Sequence, residues 1–343
     1  MNGVPAQTDP EPLGSARPQG ATGRASLARS RALRFAIRAG LGILPLYFIS
    51  QRLDRGQLVH VLERLQGGTL LLSFLAPLAA VLVGAVRWRV LLFVYGVVNA
   101  PPLGELCRQS LSGYYFNMLP GGFAGDALRA VWTRRASGGI AQSATVVIAE
   151  RLAGFAGLLA LAAATVAVAR GLGGGGSTQA AIPAALVAVG AVTAIAALVL
   201  AHDRWMPATE RGPFGVLGRA LRRIPSPGSL RGVLAAIGLS LVTQGITMAQ
   251  IVYVVHQLSP AVDPRGVAER APLLILLTYV RLTPGAIGQR ELVFSELLRP
   301  LGVPLESAVS TSLVVLAAQM AVALLGGAVA AVSRKDFSPP AFE

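Results

Sequence analysis

Long apolar runs separated by short arginine-bearing polar breaks set the pattern of this chain. The runs fall at residues 33–50, 69–86, 141–169, 180–200, 232–256 and 307–332. Each suits a helix crossing a hydrocarbon layer about 30 Å thick, which takes roughly 20 residues at about 1.5 Å apiece. The basic residues orient them, because cytoplasmic segments keep the excess of arginine and lysine. Arg29, Arg31, Arg34 and Arg38 precede the apolar stretch 40–49 of the first run, and Arg334 and Lys335 follow the last. Arg204, Arg211, Arg219, Arg222, Arg223 and Arg231 fill the loop at 202–231. All three groups are assigned to the inside, so both termini are expected in the cytoplasm. Residues 58–65 form a short amphipathic segment on the outer surface, and Arg87-Trp88-Arg89 reads as an interfacial anchor ending the second span. Residues 1–26, rich in Pro, Gly, Ala and Gln, read as a disordered tail without a signal-peptide cleavage signature. A single membrane domain is expected over 27–335, followed by a short tail at 336–343.

Two further apolar segments are broken. The first, 106–130, contains NMLPGGFAGDALRA at 117–130; the second, 272–300, contains RLTPGAIGQREL at 281–292. Proline has no amide hydrogen and glycine loosens a helix, so backbone groups are freed around Pro120 and Gly121, and again around Pro284 and Gly285. Lipid cannot satisfy them, so irregular backbone at this depth must be shielded by protein or line a wet cavity. The two breaks answer each other: Pro120-Gly121 and Pro284-Gly285, Gly125 and Gly288, Asp126 and Glu291, with Arg129 and Arg290 close by. By the span count the first is entered from the cytoplasm and the second from outside, which is what an inverted repeat over 69–169 and 232–332 would leave. Chance likeness between two Pro-Gly turns is the competing account. Freed amides at a helix start favour an anion, but Asp126 and Glu291 already stand at those positive ends. The acids are therefore expected to cap and orient the helices, while Arg129, Arg281 and Arg290 supply the field for an anionic headgroup. Asn117 stands ahead of the first break and joins the same path; Tyr114 and Tyr115 beside it suit interfacial anchoring. The fold class is thus an all-α polytopic membrane protein, with about six full transmembrane helices and two broken, re-entrant hairpins.

Polar residues inside the spans refine this picture. Glu150 stands about 12 Å into its run at 1.5 Å per residue. A charge at that depth costs at least ~2.5 kcal/mol on insertion scales and calls for a partner. Arg151 projects about 100° away from it, so the two need not pair. Arg87 and Arg129 are candidate partners for Glu150, and Asp126 for Arg151. A structural ion-pair network and a polar track for a headgroup both accommodate these residues, and a proton-carrying Glu150 or Glu291 is a third option. Ser240, Thr243, Gln244, Thr247 and Gln250 recur at three- and four-residue steps and form one polar stripe, which must face protein or a wet cavity.

Composition narrows the class. The chain has 343 residues, 53% hydrophobic and 13% charged, with a formal net charge of +14. That excludes an ordinary soluble domain. The basic residues alternate with apolar runs and form no soluble basic face, so nucleic-acid binding is excluded and attraction to anionic lipid heads explains the charge. Cys107 is the only cysteine, and His60, His202 and His256 are scattered, so neither a disulfide nor a metal site is expected. No GxxxxGK[ST] loop occurs, and no cofactor is expected.

At Arg87-Trp88-Arg89, Asn117 to Arg129, Glu150-Arg151-Leu152 and Pro284 to Glu291 the chain resembles the flippase-like membrane domain of the lysylphosphatidylglycerol synthase transmembrane-region family. The family usually has two glycines before the first acid; here Ala124-Gly125 stands there. The resemblance implies the lipid-translocating part without the aminoacyltransferase domain of the family's bifunctional members. It implies binding and transbilayer movement of an anionic or glycosylated amphipathic lipid in a bacterial inner membrane. The partner would be a phospholipid, a polyprenyl-linked sugar, a glycolipid or a hopanoid, and the protein would not itself be an enzyme. The alternatives are an integral-membrane lipid or glycolipid biosynthetic enzyme, and a non-transporting subunit beside a biosynthetic enzyme partner.

Overall fold

A computed structural model describes residues 54–63, 65–118, 122–171, 228–279 and 286–333, together with Tyr47, Gln51 and Thr283. The expected spans at 33–50 and 180–200, nearly all of the loop at 202–231, both tails, and Pro120, Gly121, Arg281, Pro284 and Gly285 lie outside these residues. Everything described is helical or in short connections. The helices are α1 (Arg55–Glu63), α2 (Gly67–Val94), α3 (Leu103–Met118), α4 (Ala124–Thr133), α5 (Ile140–Gly171), α6 (Leu230–Leu258), α7 (Pro264–Tyr279), α8 (Gln289–Leu298) and α9 (Leu305–Val332). Among them α2, α6 and α9, and α5 over Ile140–Thr165, are long and apolar enough to cross a membrane. Many of their large apolar side chains face outward, including Leu70, Leu71, Leu72, Val242, Met320 and Leu324. That is the arrangement lipid contact requires, since lipid and not water is the solvent for those faces.

Helix α2 overruns the expected span at 69–86 and carries Arg87, Trp88 and Arg89 inside it. Trp88 is fully buried. The interfacial-anchor reading of this triplet is therefore corrected: Trp88 is a core residue, packed with Leu91, Leu92, Leu106 and Val146. The helix continues because the charge of Arg87 is neutralised by Glu150 of α5. Pro77 lies within α2 and removes the amide that would bond the Ser73 carbonyl. Gln250 of α6 repairs the defect by donating its side-chain amide to Ser73 O at 2.9 Å. This accounts for one polar residue of the α6 stripe.

Helices α2 and α6 run antiparallel. Gly228, just ahead of α6, donates to Val94 at the end of α2 at 2.8 Å. Arg87 meets Ser240 and Thr243 further along, and Gln250 meets Ser73 near the start of α2. After each of these long helices comes the same sequence of pieces: a 16-residue helix (α3 or α7), a turn, a 10-residue helix (α4 or α8), then a long helix (α5 or α9). At 1.5 Å per residue the two short helices reach only about 24 and 15 Å, so neither alone spans a core of about 30 Å. The packing repeats as well. Exchanging α2, α3, α4 and α5 for α6, α7, α8 and α9 carries α3–α9 onto α7–α5, α5–α6 onto α9–α2, and α2–α5 onto α6–α9, all closely packed pairs. The central pair, α2–α6, maps onto itself.

Candidate functional site

The first hairpin, α3–α4, is closed by glycine. A Cβ on Gly125 would stand 1.8 Å from the carbonyl oxygen of Gly113, so only glycine allows the two helices to touch there. The contact brings the last turn of α3 over the first turn of α4. Asn117 Oδ1 accepts from the backbone N–H of Gly125 at 2.9 Å and of Asp126 at 3.3 Å. It thereby satisfies two of the amides that every helix start leaves open. Its Nδ2 donates to Asp126 Oδ1 at 3.1 Å. Asn117 thus caps α4 from a neighbouring helix, and the carboxylate of Asp126 is left for another use. The expectation that Asp126 caps its own helix is corrected accordingly. Arg151 of α5 donates through Nε and Nη2 to Asp126 Oδ2, at 2.8 and 2.5 Å.

One turn deeper in the same hairpin, Arg129 donates to Glu150 Oε2 at 2.5 Å, and Arg87 donates to Glu150 Oε1 at 2.9 Å. Glu150 therefore ties α2, α4 and α5 together. The guanidinium of Arg129 lies 4.0 Å over the Trp88 ring, a desolvated cation–π contact. Arg87 also donates to Ser240 Oγ at 3.0 Å. Ser240 passes its own proton to the Ala236 carbonyl, which leaves the oxygen free to accept. Both partners expected for Glu150, and the one expected for Arg151, are in place. The side chains of Asp126, Arg129, Glu150 and Arg87 are 10, 11, 7 and 13% exposed, whereas that of Arg151 is 40% exposed. At about 17 Å from the start of α5, Arg151 sits near the middle of the candidate span. Thr133 and Ser143, bonded side chain to side chain, close the base of the α4–α5 contact.

The second hairpin, α7–α8, is held differently. Ala286 adopts φ +59 and Gly288 φ +79, both left-handed. Thr283 Oγ1 donates to the Ile287 carbonyl at 2.8 Å, and the Ala286 amide donates to the Thr283 carbonyl at 3.0 Å, so the turn is locally locked. Glu291, third residue of α8, reaches back and accepts from the Gly288 amide at 2.6 Å. Here the acid does cap its own helix. Its other oxygen accepts from Ser312 of α9 at 3.2 Å. Arg290 donates to Gln319 of α9 at 2.8 Å, about 21 Å along that helix, again near its middle.

The expected path residues therefore fall into two clusters. Asn117, Gly125, Asp126, Arg129, Glu150 and Arg151, joined by Arg87 and Trp88, form the first; Gly288, Arg290 and Glu291, joined by Ser312 and Gln319, form the second. Tyr279, the last residue of α7, brings the second hairpin towards the first cluster: its ring centroid lies 5.8 Å from that of Phe155, one turn beyond Arg151 on α5. Of the α6 stripe, Ser240, Thr243, Gln244 and Gln250 are buried against protein and Thr247 is half-buried. Among the described residues Thr247 bonds back to the Thr243 carbonyl. Ser240 and Thr243 serve Arg87, and the stripe is a helix-packing seam. The sequence reading missed the burial of Trp88 and the roles of Ser312 and Gln319. The clue to Ser312 was its place in the Ser/Thr-rich first turns of an otherwise apolar span, and the clue to Gln319 was that it is a lone amide at the middle of that span. Among the described residues no group of three His, Cys, Asp or Glu side chains converges for a metal ion.

Helices long and apolar enough to cross a membrane and a buried ionic cluster define an integral membrane protein with a polar interior. Its sequence matches the lysylphosphatidylglycerol synthase TM region over residues 34–327, and the chain belongs to that family. Membership implies a membrane lipid-related function. Comparison with curated proteins yields no match.

Proposed function

We propose that this protein binds an amphipathic lipid and moves it between the leaflets of a bacterial inner membrane. The observation that carries the reading is the packing that repeats when one half is exchanged for the other, with α2 and α6 antiparallel at its centre. This is what an inverted repeat produces, and transporters of that build place their sites at mid-depth between the halves, where helices are broken. The hairpins α3–α4 and α7–α8 are then re-entrant, one from each face, with their polar tips against the middles of α5 and α9. The headgroup passes between the tips while the tails stay in the bilayer, and rocking of one half against the other alternates access. Each charge at the first tip has at least one opposite charge beside it, as a membrane core requires.

Reconstitution tests this. Liposomes carrying labelled anionic phospholipid or labelled glycolipid are compared for leaflet exchange with wild type, Asp126→Asn and Glu291→Gln. The expected result is exchange in wild type and a clear loss in both variants, with folding checked by thermal unfolding. Equal exchange rates in protein and empty liposomes, or a chemical turnover of the lipid in place of movement, would refute the proposal.

A further inference from the structure

The first cluster contains more positive charge than negative. Arg87, Arg129 and Arg151 face two carboxylates, Asp126 and Glu150, which leaves one positive charge uncompensated among these residues. Donors also exceed acceptors: Arg129, only 9% exposed, has an Nε without an acceptor among the described residues, as does Arg87. Arg87 and Arg129 share the one carboxylate of Glu150 and are at most 13% exposed, whereas Arg151, paired with Asp126, is the cation of the cluster that reaches the surface, at 40%. Both described bonds of Arg151 go to a single oxygen, Asp126 Oδ2, through Nε and Nη2. Nη1 and the edge it shares with Nη2 therefore point away from the pair. That edge is the one that takes two oxygens of an oxyanion at once. Asp126 fixes the fork from behind, and Asn117 fixes Asp126. Phe155 lies one turn on from Arg151, with Tyr279 of the second hairpin against its ring. Tyr279 is 44% exposed. With Asp126 on one edge, the outward edge of this half-exposed guanidinium is open to a further acceptor at a depth where lipid headgroups can supply one.

We infer that Arg151 is the anchor for a phosphate oxyanion of a membrane lipid: two phosphate oxygens on its outward edge, Tyr279 as a further donor, Asp126 and Asn117 as positioning residues. This deepens and rests on the lipid-handling reading, and it selects phosphate-bearing lipids over neutral glycolipids and hopanoids. It also gives the two hairpins one shared ligand, since Asp126 belongs to one and Tyr279 to the other.

The full chain in maltoside detergent, titrated by calorimetry, provides the test. The probes are dihexanoyl phosphatidic acid, dihexanoyl glycerol, hexanoate and inorganic phosphate. Saturable binding of phosphatidic acid is expected, at least about tenfold tighter than that of the other three, since a hydrogen bond to a charged group is worth about 1.5–3 kcal/mol. Arg151→Gln is expected to weaken it at least about tenfold, with Arg151→Lys and Tyr279→Phe intermediate. Wild-type affinity in Arg151→Gln, or in both other variants should Arg151→Gln fail to fold, overturns the inference. So does equal binding of dihexanoyl glycerol or hexanoate. Inorganic phosphate binding as tightly as the lipid overturns the assignment to a headgroup. The outcome is separable from transport. Leaflet exchange that prefers a phosphate-free glycolipid and ignores Arg151→Gln removes this site and leaves translocation standing. Arg151-dependent binding without exchange of any lipid does the reverse.

Discussion

The two hairpins share an architecture and differ in chemistry. Aligning the first residues of α4 and α8, and of α5 and α9, puts Asp126 opposite Glu291, Gly125 opposite Arg290, Arg129 opposite Phe294, Glu150 opposite Val315 and Arg151 opposite Leu316. Both acids fall at the third position of a 10-residue helix. In the second hairpin the acid is consumed in capping, and the helix behind it is apolar where its counterpart is charged. In the first, Asn117 takes over the capping and releases Asp126 for Arg151. One substituted cap therefore separates a structural acid from one that can hold a cation in place. Of the two like halves, only the first carries an ionic cluster of this kind among the described residues, so under the proposed function a headgroup would meet one ionic docking point and not two equivalent ones.

The largest expected difference between the halves follows from Glu150. Replacing it by Gln leaves Arg87 and Arg129 buried without a counter-charge, an effect of about 3–5 kcal/mol when one member of a buried pair is lost. A fall in folded yield and thermal midpoint in detergent checks this, whereas Val315→Ile at the matching buried site leaves no charge unpaired and should cost no more than the roughly 1–3 kcal/mol of overpacking. Gly125→Ala comes next. Its Cβ would meet the Gly113 carbonyl, and the resulting separation of α3 from α4 is expected to cost about 1–3 kcal/mol, the usual range for overpacking. Arg290→Ala opposite it meets no such wall and is expected to lose the Gln319 bond without driving the hairpin apart. Asn117→Ala removes a cap for about 1 kcal/mol. It also loosens Asp126, so hydrogen exchange should rise at the start of α4 and stay unchanged in α8. The smallest effect is expected at Ala286→Gly. Relief of a left-handed alanine, worth about 1 kcal/mol, is partly offset by the lost buried methyl, so the midpoint should rise slightly.

Much of the first cluster was legible because the membrane makes charges scarce. Glu150 and Arg151 each demanded a partner, and few candidates existed within reach, so the pairs with Arg87, Arg129 and Asp126 could be read from sequence. The two broken segments were legible from Pro-Gly pairs followed by an acid. The capping of α4 was not, because an asparagine before a turn and an aspartate after it compete for the same amides, and only the Gly113–Gly125 contact decides between them. Arg87-Trp88-Arg89 misled because adjacent helical residues point about 100° apart: two cations and an indole that look like one interfacial belt go to different surroundings. For Gln250 the sequence left protein and a wet cavity open, because its partner is a carbonyl orphaned by Pro77, far away in sequence.

The account depends on the two hairpins entering from opposite faces of the membrane. Cysteine labelling tests this most directly. In a Cys107→Ser background, Asn99→Cys marks the entry to the first hairpin and Pro260→Cys the entry to the second. Both positions are exposed. A membrane-impermeant maleimide added to sealed right-side-out and inside-out vesicles is predicted to label each position in only one orientation, and the two in opposite orientations. Labelling of both from the same side would contradict the inverted arrangement and the lipid route built on it.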